Sequence, residues 1–155
     1  LMRALIQRVK KASVSVNTEQ VSTISEGLLV LLGISKNDNK NDCDYLVYKL
    51  LNLRIFPSEK NNFDKSVLEE QKEVLIVSQF TLYANTRVGR RPDFSDSAKS
   101  TFAEELYNYA VNILRSSISV KTGKFGEEME VSLVNWGPVT LAIDSSDKDK
   151  ARNSF

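Results

Sequence analysis

The chain has 155 residues and a net charge of +1, with 41% hydrophobic and 26% charged residues. This length suits one domain whose core needs neither disulfides nor metal, and the small net charge excludes a surface that binds polyanions as a whole. The single Cys43 excludes an internal disulfide, and no apolar run approaches the roughly 20 residues of a membrane span, so we expect a soluble, cytoplasmic protein.

The first part of the chain predicts consecutive strands. Residues 4–9 and 12–16 are rich in apolar and β-branched side chains, and the second stretch alternates between apolar and polar. Residues 17–20 form a polar turn, after which residues 21–24 complete a hairpin. Residues 27–34 are a continuous apolar run, which is typical of a central strand covered on both faces.

Two amphipathic helices are predicted further along the chain. The first covers residues 42–53, and the second begins near Thr101, which is spaced as a capping box with Glu104. Each helix has one apolar face, formed in the first by Leu46, Leu50 and Leu53 and in the second by Phe102, Leu106, Tyr109, Ala110, Ile113 and Leu114.

The remaining segments predict short strands, a loop and a tail. Residues 85–97 are rich in Gly, Pro and Arg and indicate a long loop, whereas residues 146–155 form a charged tail that we expect to be disordered. Strands that follow one another without intervening helices predict an α+β domain over residues 1–145, with a β-barrel-like antiparallel or mixed sheet and two outer helices. The further strands are residues 54–56, 74–77, 131–134 and 139–143.

The composition excludes several kinds of chemistry. The chain contains no histidine, so a Ser-His-Asp or Cys-His mechanism is impossible. A zinc site is not expected from one cysteine alone, and neither a Walker-type phosphate loop nor a dinucleotide-binding glycine turn is present, so we expect no metal and no cofactor. The carboxylates are interpreted as structural at Asp38, Asp42 and Asp44, near a helix start, and as solvated at Glu127, Glu128 and Glu130.

Small polar residues interrupt the apolar strand pattern at two places. Directly after a buried strand, Ser78, Gln79 and Thr81 lie where a chain that leaves a sheet can direct backbone N–H groups into a cleft and stabilise an oxyanion. The alternative is that they only satisfy the end of the strand. Gly137 and Pro138 separate the last two strands, either as a cis peptide that turns the backbone or as an ordinary edge bend.

These two segments resemble the signatures of the D-aminoacyl-tRNA deacylase family. Residues 78–82 read Ser-Gln-Phe-Thr-Leu and residues 135–140 read Asn-Trp-Gly-Pro-Val-Thr, and the similarity extends from Met2 to about Asp144. Further similarity lies in residues 3–9, 27–33 and 121–126 and at Met129.

The resemblance implies a homodimer of barrel-like subunits that hydrolyses the ester bond between a D-amino acid, or mischarged glycine, and its tRNA. Gly137 and Pro138 would form a cis peptide that projects from one subunit into the pocket of the other, where an L side chain would collide with backbone. The implied partners are a second copy of the chain and the 3′ end and acceptor stem of an aminoacyl-tRNA, with no membrane and no DNA.

The resemblance also implies roles for the first segment. The 2′-hydroxyl of the terminal ribose would help to activate water, and backbone N–H groups around Phe80 and Thr81 would stabilise the oxyanion. Ser78, Gln79 and Phe80 would hold the terminal adenosine and the ester, while a Thr81 hydroxyl acting as a covalent nucleophile is the less favoured alternative because no base lies beside it. Met129 would be a pocket wall or a core residue.

Basic residues provide candidate phosphate contacts. The long loop carries three arginines that either bind phosphate or are simply solvated. Together with two lysines near the first strand they could steer the acceptor stem, with modest salt dependence. A nucleic-acid-binding module without catalysis and a dimeric interaction domain remain alternatives. The candidate contacts are Lys10, Lys11, Arg87, Arg90 and Arg91.

Overall fold

The computed structural model describes residues 1–150 of the chain. Two 3-10 helices, Phe80–Tyr83 and Ser145–Asp149, accompany the α-helices and strands of this part of the chain. In chain order the latter are β1 (Arg3–Val16), β2 (Glu19–Ile24), β3 (Gly27–Gly33), α1 (Lys40–Asn52), β4 (Arg54–Phe56), β5 (Lys65–Ser66), β6 (Glu73–Ser78), α2 (Ser100–Arg115), β7 (Val120–Thr122) and β8 (Glu130–Asp144).

β1 organises the main sheet. Its first half pairs antiparallel with β3 and its second half with β2, while β8 pairs antiparallel along the other side of both halves. β6 pairs parallel with β3, and β7 pairs parallel with β6. This nearly closed, mixed sheet with two helices confirms the predicted α+β fold. None of the described helices is long and apolar enough to cross a membrane.

Two strands are longer than the sequence predicted. Residues 4–9 and 12–16 both belong to β1, and residues 131–134 and 139–143 both belong to β8. Irregular pairing between these two strands breaks the alternation of side chains, yet the hydrogen bonding continues on either side of each interruption. β5 and β7, of two and three residues, were not predicted.

Both helices pack on one face of the sheet. The core on this face joins Leu46 and Leu50 of α1 and Leu106 and Leu114 of α2 to strand residues such as Ile76. Each such side chain contributes about 1.5–3 kcal/mol when it is fully buried. On the opposite face, a second cluster is built from β1, β2, β3 and β6. We call this second side the open face, because the rim of the cluster is only partly buried, at Leu31, Met129, Val131 and Leu133.

The capping box predicted at Thr101 and Glu104 is wrong. α2 begins at Ser100 after Lys99, and no side chain caps it. The observed capping box belongs to α1 instead, where Asn39 Oδ1 accepts a hydrogen bond from Asn41 N at 2.9 Å. Asp42 completes this box by accepting from the Asn39 backbone N–H at 2.9 Å, which agrees with the structural role predicted for this carboxylate.

The predicted tail is ordered in its first part. Ser145–Asp149 forms a 3-10 helix that is fastened to the buried Asp42 carboxylate, which accepts hydrogen bonds from Ser145 Oγ at 2.8 Å and Lys148 Nζ at 2.9 Å. Burial raises the pKa of Asp42, but these bonds and the one from Asn39 N outweigh burial and lower it overall. The prediction of disorder from residue 146 is therefore wrong as far as residue 149, and residues 151–155 lie outside the described part.

Candidate active site

A cavity of about 490 Å³ opens where β6 ends. Four segments line it: the residue that follows β3, the end of β6 with the two residues after it, the approach to α2 with its first turn, and the turn before β8 with the start of that strand. Its walls are half apolar in character, and the residues of the first predicted signature form one side of it. The lining residues are Ile34, Val77, Ser78, Gln79, Phe80, Ser97, Ala98, Ser100, Ala103, Phe125, Gly126, Glu127, Met129 and Val131.

The chain changes from strand to 3-10 helix at the cavity. Ser78 is the last residue of β6, and Gln79 N still donates to Leu32 O of β3 at 2.8 Å. The 3-10 helix then begins at Phe80, so the N–H groups of Phe80 and Thr81 precede its first internal hydrogen bond. Neither N–H group donates to an acceptor within residues 1–150. These two backbone donors are available to a developing negative charge on a ligand.

The Thr81 side chain does not line the cavity. It is exposed, and its Oγ1 accepts a hydrogen bond from Gln79 Nε2. Neither atom of a carboxamide takes up a proton at neutral pH, so Gln79 cannot serve as a base that activates the hydroxyl. Thr81 therefore has a backbone N–H, unused within the described residues, next to the cavity-lining Phe80 and a side chain held to Gln79.

A hairpin carries the three loop arginines close to the cavity. Asn85 and Asp93 pair through backbone hydrogen bonds of 2.8 and 2.9 Å, and they close a loop that we call the arginine hairpin, residues 85–93. Directly after it, the ring of Phe94 packs edge-on against Phe80 at 5.1 Å between centroids. Phe80 is 55% exposed and lines the cavity, so the hairpin is anchored at the cavity mouth. Its exposed tip carries Arg87, Arg90 and Arg91.

The two candidate lysines lie elsewhere on the fold. Lys10 Nζ pairs with Glu26 Oε1 at 2.8 Å and lies 3.6 Å from the centroid of the Trp136 ring. Hydrogen bonds from Lys10 and then Lys72 lower the pKa of Glu26 to about 2. Lys11 is exposed next to this pair on β1. Neither lysine lines the cavity, and neither belongs to the arginine hairpin that is anchored beside it.

The second signature forms a projection from β8. Gln7 of β1 pairs with Thr140, whereas Val9 pairs with Asn135, so four residues of β8 stand opposite one residue of β1. Asn135 fastens the base of this bulge, since its Oδ1 accepts from Val139 N at 3.1 Å and its Nδ2 donates to Thr140 Oγ1 at 2.9 Å. We call residues 136–139 the β8 projection. Its outermost residues, Gly137 and Pro138, are exposed and are joined by a cis peptide bond.

Arg8 holds the β8 projection through a hydrogen bond to its backbone. It is buried, its Nε donates to Trp136 O at 3.0 Å, and its Nη1 donates to Ile55 O at 2.8 Å. Burial lowers the pKa of this guanidinium. Gly137 has a φ of +132°, and a Cβ atom there would lie 2.8 Å from Val139 Cγ2 and 3.1 Å from Arg8 Nη2. Only glycine fits this position without a shift of its neighbours.

The chain carries the features of a known family over nearly its whole length. The family model for D-Tyr-tRNA(Tyr) deacylase matches residues 5–144. The chain belongs to this family. The D-aminoacyl-tRNA deacylase of Thermosipho melanesiensis is 52% identical over 146 residues, which covers 93% of this chain and 97% of the relative. The enzyme of the same name from Aquifex aeolicus is 52% identical over 145 residues, covering 93% of this chain and 98% of the relative.

Solved structures agree with this deacylase family fold. A c-Myc DNA Unwinding Element Binding Protein superposes with a TM-score of 0.87 at 42% identity, covering 92% of this chain and 97% of the other. A probable eukaryotic D-amino acid tRNA deacylase superposes with a TM-score of 0.81 at 18% identity, covering 92% and 98%, and this likeness concerns the fold alone.

The predicted site residues of this deacylase family member fall into two groups. Ser78, Gln79, Phe80 and Met129 line one cavity, whereas the β8 projection lies outside the lining of its own chain's cavity. Sequence reasoning missed the buried Arg8, whose signal is a charge at an inward position of β1 in register with Ala4 and Ile6. Glu127 is exposed, as the solvated interpretation predicted, but nothing in the sequence indicated that it also lines the cavity.

Proposed function

We propose that the chain hydrolyses the ester bond between a D-amino acid, or mischarged glycine, and the 3′-terminal adenosine of a tRNA. The observation that carries this proposal is the pair of free N–H groups at Phe80 and Thr81 beside the cavity. Such donors stabilise an oxyanion without a titratable side chain, which suits a chain that has no histidine. The names of the relatives at about 50% identity support the same substrate class.

In the proposed reaction, water attacks the ester carbonyl carbon and the two N–H groups receive the negative charge of the tetrahedral intermediate. The ribose 2′-hydroxyl relays a proton from the water to the departing 3′ oxygen, so that the free amino acid and the tRNA are the products. Ser78, Gln79 and Phe80 hold the ester and the terminal adenosine. One well-placed donor of this kind contributes about 10²–10³ in rate, so backbone groups can supply much of the catalysis.

A second copy of the chain completes the proposed site. Gly137 and Pro138 are exposed and do not line their own chain's cavity, so they are free to enter the cavity of a partner. The partly buried rim of the open face provides apolar surface for that association. In this position the projecting backbone collides with an L side chain and leaves room for a D side chain or for glycine, so that chirality is read by steric exclusion.

The arginine hairpin is the proposed contact for tRNA phosphates. Its three exposed arginines belong to a hairpin that is anchored beside the cavity through the contact of Phe94 with Phe80, and we expect the acceptor end to enter on this side. Lys10 and Lys11 lie on β1 and are expected to contribute less to phosphate binding, because the Lys10 ammonium is already paired with Glu26. Because the proposed substrate is a tRNA, we expect this activity in the cytoplasm, and we expect it to need neither a cofactor nor a metal.

The proposed function is tested by measuring ester loss from matched D- and L-aminoacyl-tRNA. We expect rapid release of the D-amino acid and of glycine and little release of the L-amino acid above the spontaneous rate. Release of neither enantiomer at micromolar enzyme would refute the proposal. Equal release of both would refute the steric gate while leaving the esterase intact.

The alternative of a binding module without catalysis is addressed with the same preparation. One relative at 42% identity carries a name that refers to DNA binding. The net charge of +1 does not favour binding to long duplexes. We expect weak, salt-sensitive binding of duplex DNA and no stable complex near 150 mM salt, and tight binding of DNA without ester hydrolysis would favour the alternative.

A further inference from the structure

The cavity contains one charged residue in a lining that is otherwise uncharged. Among the described residues around it, only Glu127 carries a formal charge. The neighbouring Glu128 does not line the cavity. Within residues 1–150 Glu127 forms no ion pair. Its carboxylate therefore carries a negative charge at the cavity that is not held in an ion pair within the described part of the chain.

The segment that carries Glu127 is held in place by its neighbours. Glu127 N donates to Lys124 O at 3.3 Å in a turn where Gly126 adopts a φ of +78°. The preceding Phe125 packs its ring against Tyr107 of α2, with 5.7 Å between the centroids. This wall of the cavity is consequently anchored to the helical layer and does not depend on Glu127 for its position.

We propose that Glu127 recognises the positive α-ammonium group of the esterified amino acid and so selects aminoacyl over neutral acyl groups. This inference rests on the proposed function. The ammonium is the only cationic group that every aminoacyl ester presents, whereas the adjacent nucleotides are anionic. A carboxylate at the cavity and arginines at the hairpin tip thus match the order of charges along the substrate, with the amino acid inside and the phosphates outside.

The magnitude of the effect follows from the exposure of Glu127. Exposed ion pairs contribute about 0.2–1 kcal/mol, which corresponds to at most about a fivefold change in rate or affinity. Glu127 therefore sharpens the selection of substrates and is not required for the ester chemistry itself. The interaction exists only while the amine is protonated, so it weakens as pH rises through the pKa of the α-amino group, about 7.7–8.0 in model peptides.

The test compares two substrates that differ only at the α position: D-phenylalanyl-tRNA, and tRNA esterified with D-3-phenyllactic acid, which has a hydroxyl group there. We expect Glu127→Gln to lower kcat/KM for D-phenylalanyl-tRNA by about three- to fivefold at pH 6.5 and to leave the phenyllactyl ester unchanged. The loss should shrink towards pH 8.5. Glu128→Gln is the matched control and should alter neither substrate, and thermal unfolding of each variant checks the fold.

Equal effects of Glu127→Gln on both substrates, or none on either, would overturn the inference, because the carboxylate would then act through the phosphates or not at all. A loss on D-phenylalanyl-tRNA that persists unchanged at pH 8.5 would also overturn it. Failure of the wild-type chain to hydrolyse D-phenylalanyl-tRNA would instead refute the proposed function, and the inference with it.

Discussion

The backbone N–H groups of Phe80 and Thr81 are available because the chain changes conformation at Gln79. Gln79 has a φ of −142° and a ψ of 82°, so the chain leaves the sheet there and enters a 3-10 helix. In a continuing strand, a neighbour would take up alternate N–H groups. Because the proposed catalytic groups are backbone atoms, substitutions of the Thr81 side chain should have small effects on turnover.

We expect Thr81→Val to keep turnover of a D-aminoacyl-tRNA within about threefold of the wild type, because the backbone N–H remains and only the hydroxyl is lost. Thr81→Ala should behave in the same way. A substrate that ends in 2′-deoxyadenosine should be hydrolysed at least about 100-fold more slowly, because the hydroxyl that relays the proton is missing. Single-turnover measurements isolate the chemical step.

The opposite pattern would identify Thr81 as a nucleophile. In that case Thr81→Val would abolish turnover, the 2′-deoxy substrate would still react, and an acyl-enzyme would be trapped by rapid acid quench. The covalent mechanism would require a base for the hydroxyl, and the nearest polar group is the Gln79 carboxamide.

The role of a residue could be predicted from the sequence where it follows from the local pattern. It could not be predicted where it follows from the register of paired strands. The polar break at Ser78 marks the end of an apolar strand and is visible in one dimension. The importance of Arg8 arises because four residues of β8 face it across the sheet, and only the pairing of distant strands reveals this. Glu127 is solvated as predicted, but its place at the cavity could not be predicted, because a single turn next to a strand gives no sign of a cavity.

At the level of elements, β8 combines a sheet strand with the projection that is proposed to read chirality. Continuous pairing with β1 on both sides of the bulge gives the projection a rigid base, and Asn135 closes that base with hydrogen bonds to Val139 and Thr140. The sequence showed two strands around a bend, which is correct locally. The sequence did not show that the bend interrupts a single strand. Both parts of β8 pair with β1, and this pairing is visible only in the folded sheet.

The arginine hairpin is an element whose contribution should depend on salt. We expect Arg90→Gln and Arg91→Gln each to raise KM for D-aminoacyl-tRNA several-fold with little change in kcat, since phosphate contacts position the substrate and take no part in the ester chemistry. Each change should reduce the slope of log(kcat/KM) against log[salt] by about 0.7–0.9. Kinetics between 50 and 300 mM KCl measure this slope.

Arg115→Gln provides the matched control for the hairpin. Arg115 is also exposed but lies at the far end of α2, on the order of 20 Å from the helix start that lines the cavity. Its removal should leave both KM and the salt slope unchanged. The same slope for all three variants would show that the hairpin is solvated and does not contact phosphate.

For the molecule as a whole, the proposed site is divided between two places that one chain does not join. The cavity lies beside the end of β6, while the β8 projection extends from the sheet where Arg8 supports it. The open face, with its partly buried apolar rim, supplies the surface on which two copies would associate. In the proposed dimer, the association of subunits and the completion of each site are therefore linked.

This link predicts complementation between two inactive variants. Ser78→Trp fills the cavity of its own chain, and Gly137→Val introduces a side chain that collides with Val139 and Arg8, which displaces the projection. Each variant alone should form dimers and lack activity, because one change fills the cavity and the other makes the displaced projection obstruct the partner's cavity. In a heterodimer of the two, one site carries both changes and the other carries neither, so we expect about half the activity of the wild-type dimer.

The experiment requires co-expression with two different tags, purification of the heterodimer and a check of its mass by sedimentation. A heterodimer as inactive as its parents would show that each site is built within one chain, since every site would then carry one change. A wild-type chain that sediments as a monomer and still hydrolyses the D-ester would contradict the shared site more directly. Half activity that disappears as the dimer dissociates on dilution would tie catalysis to the contact between the β8 projection and its partner's cavity.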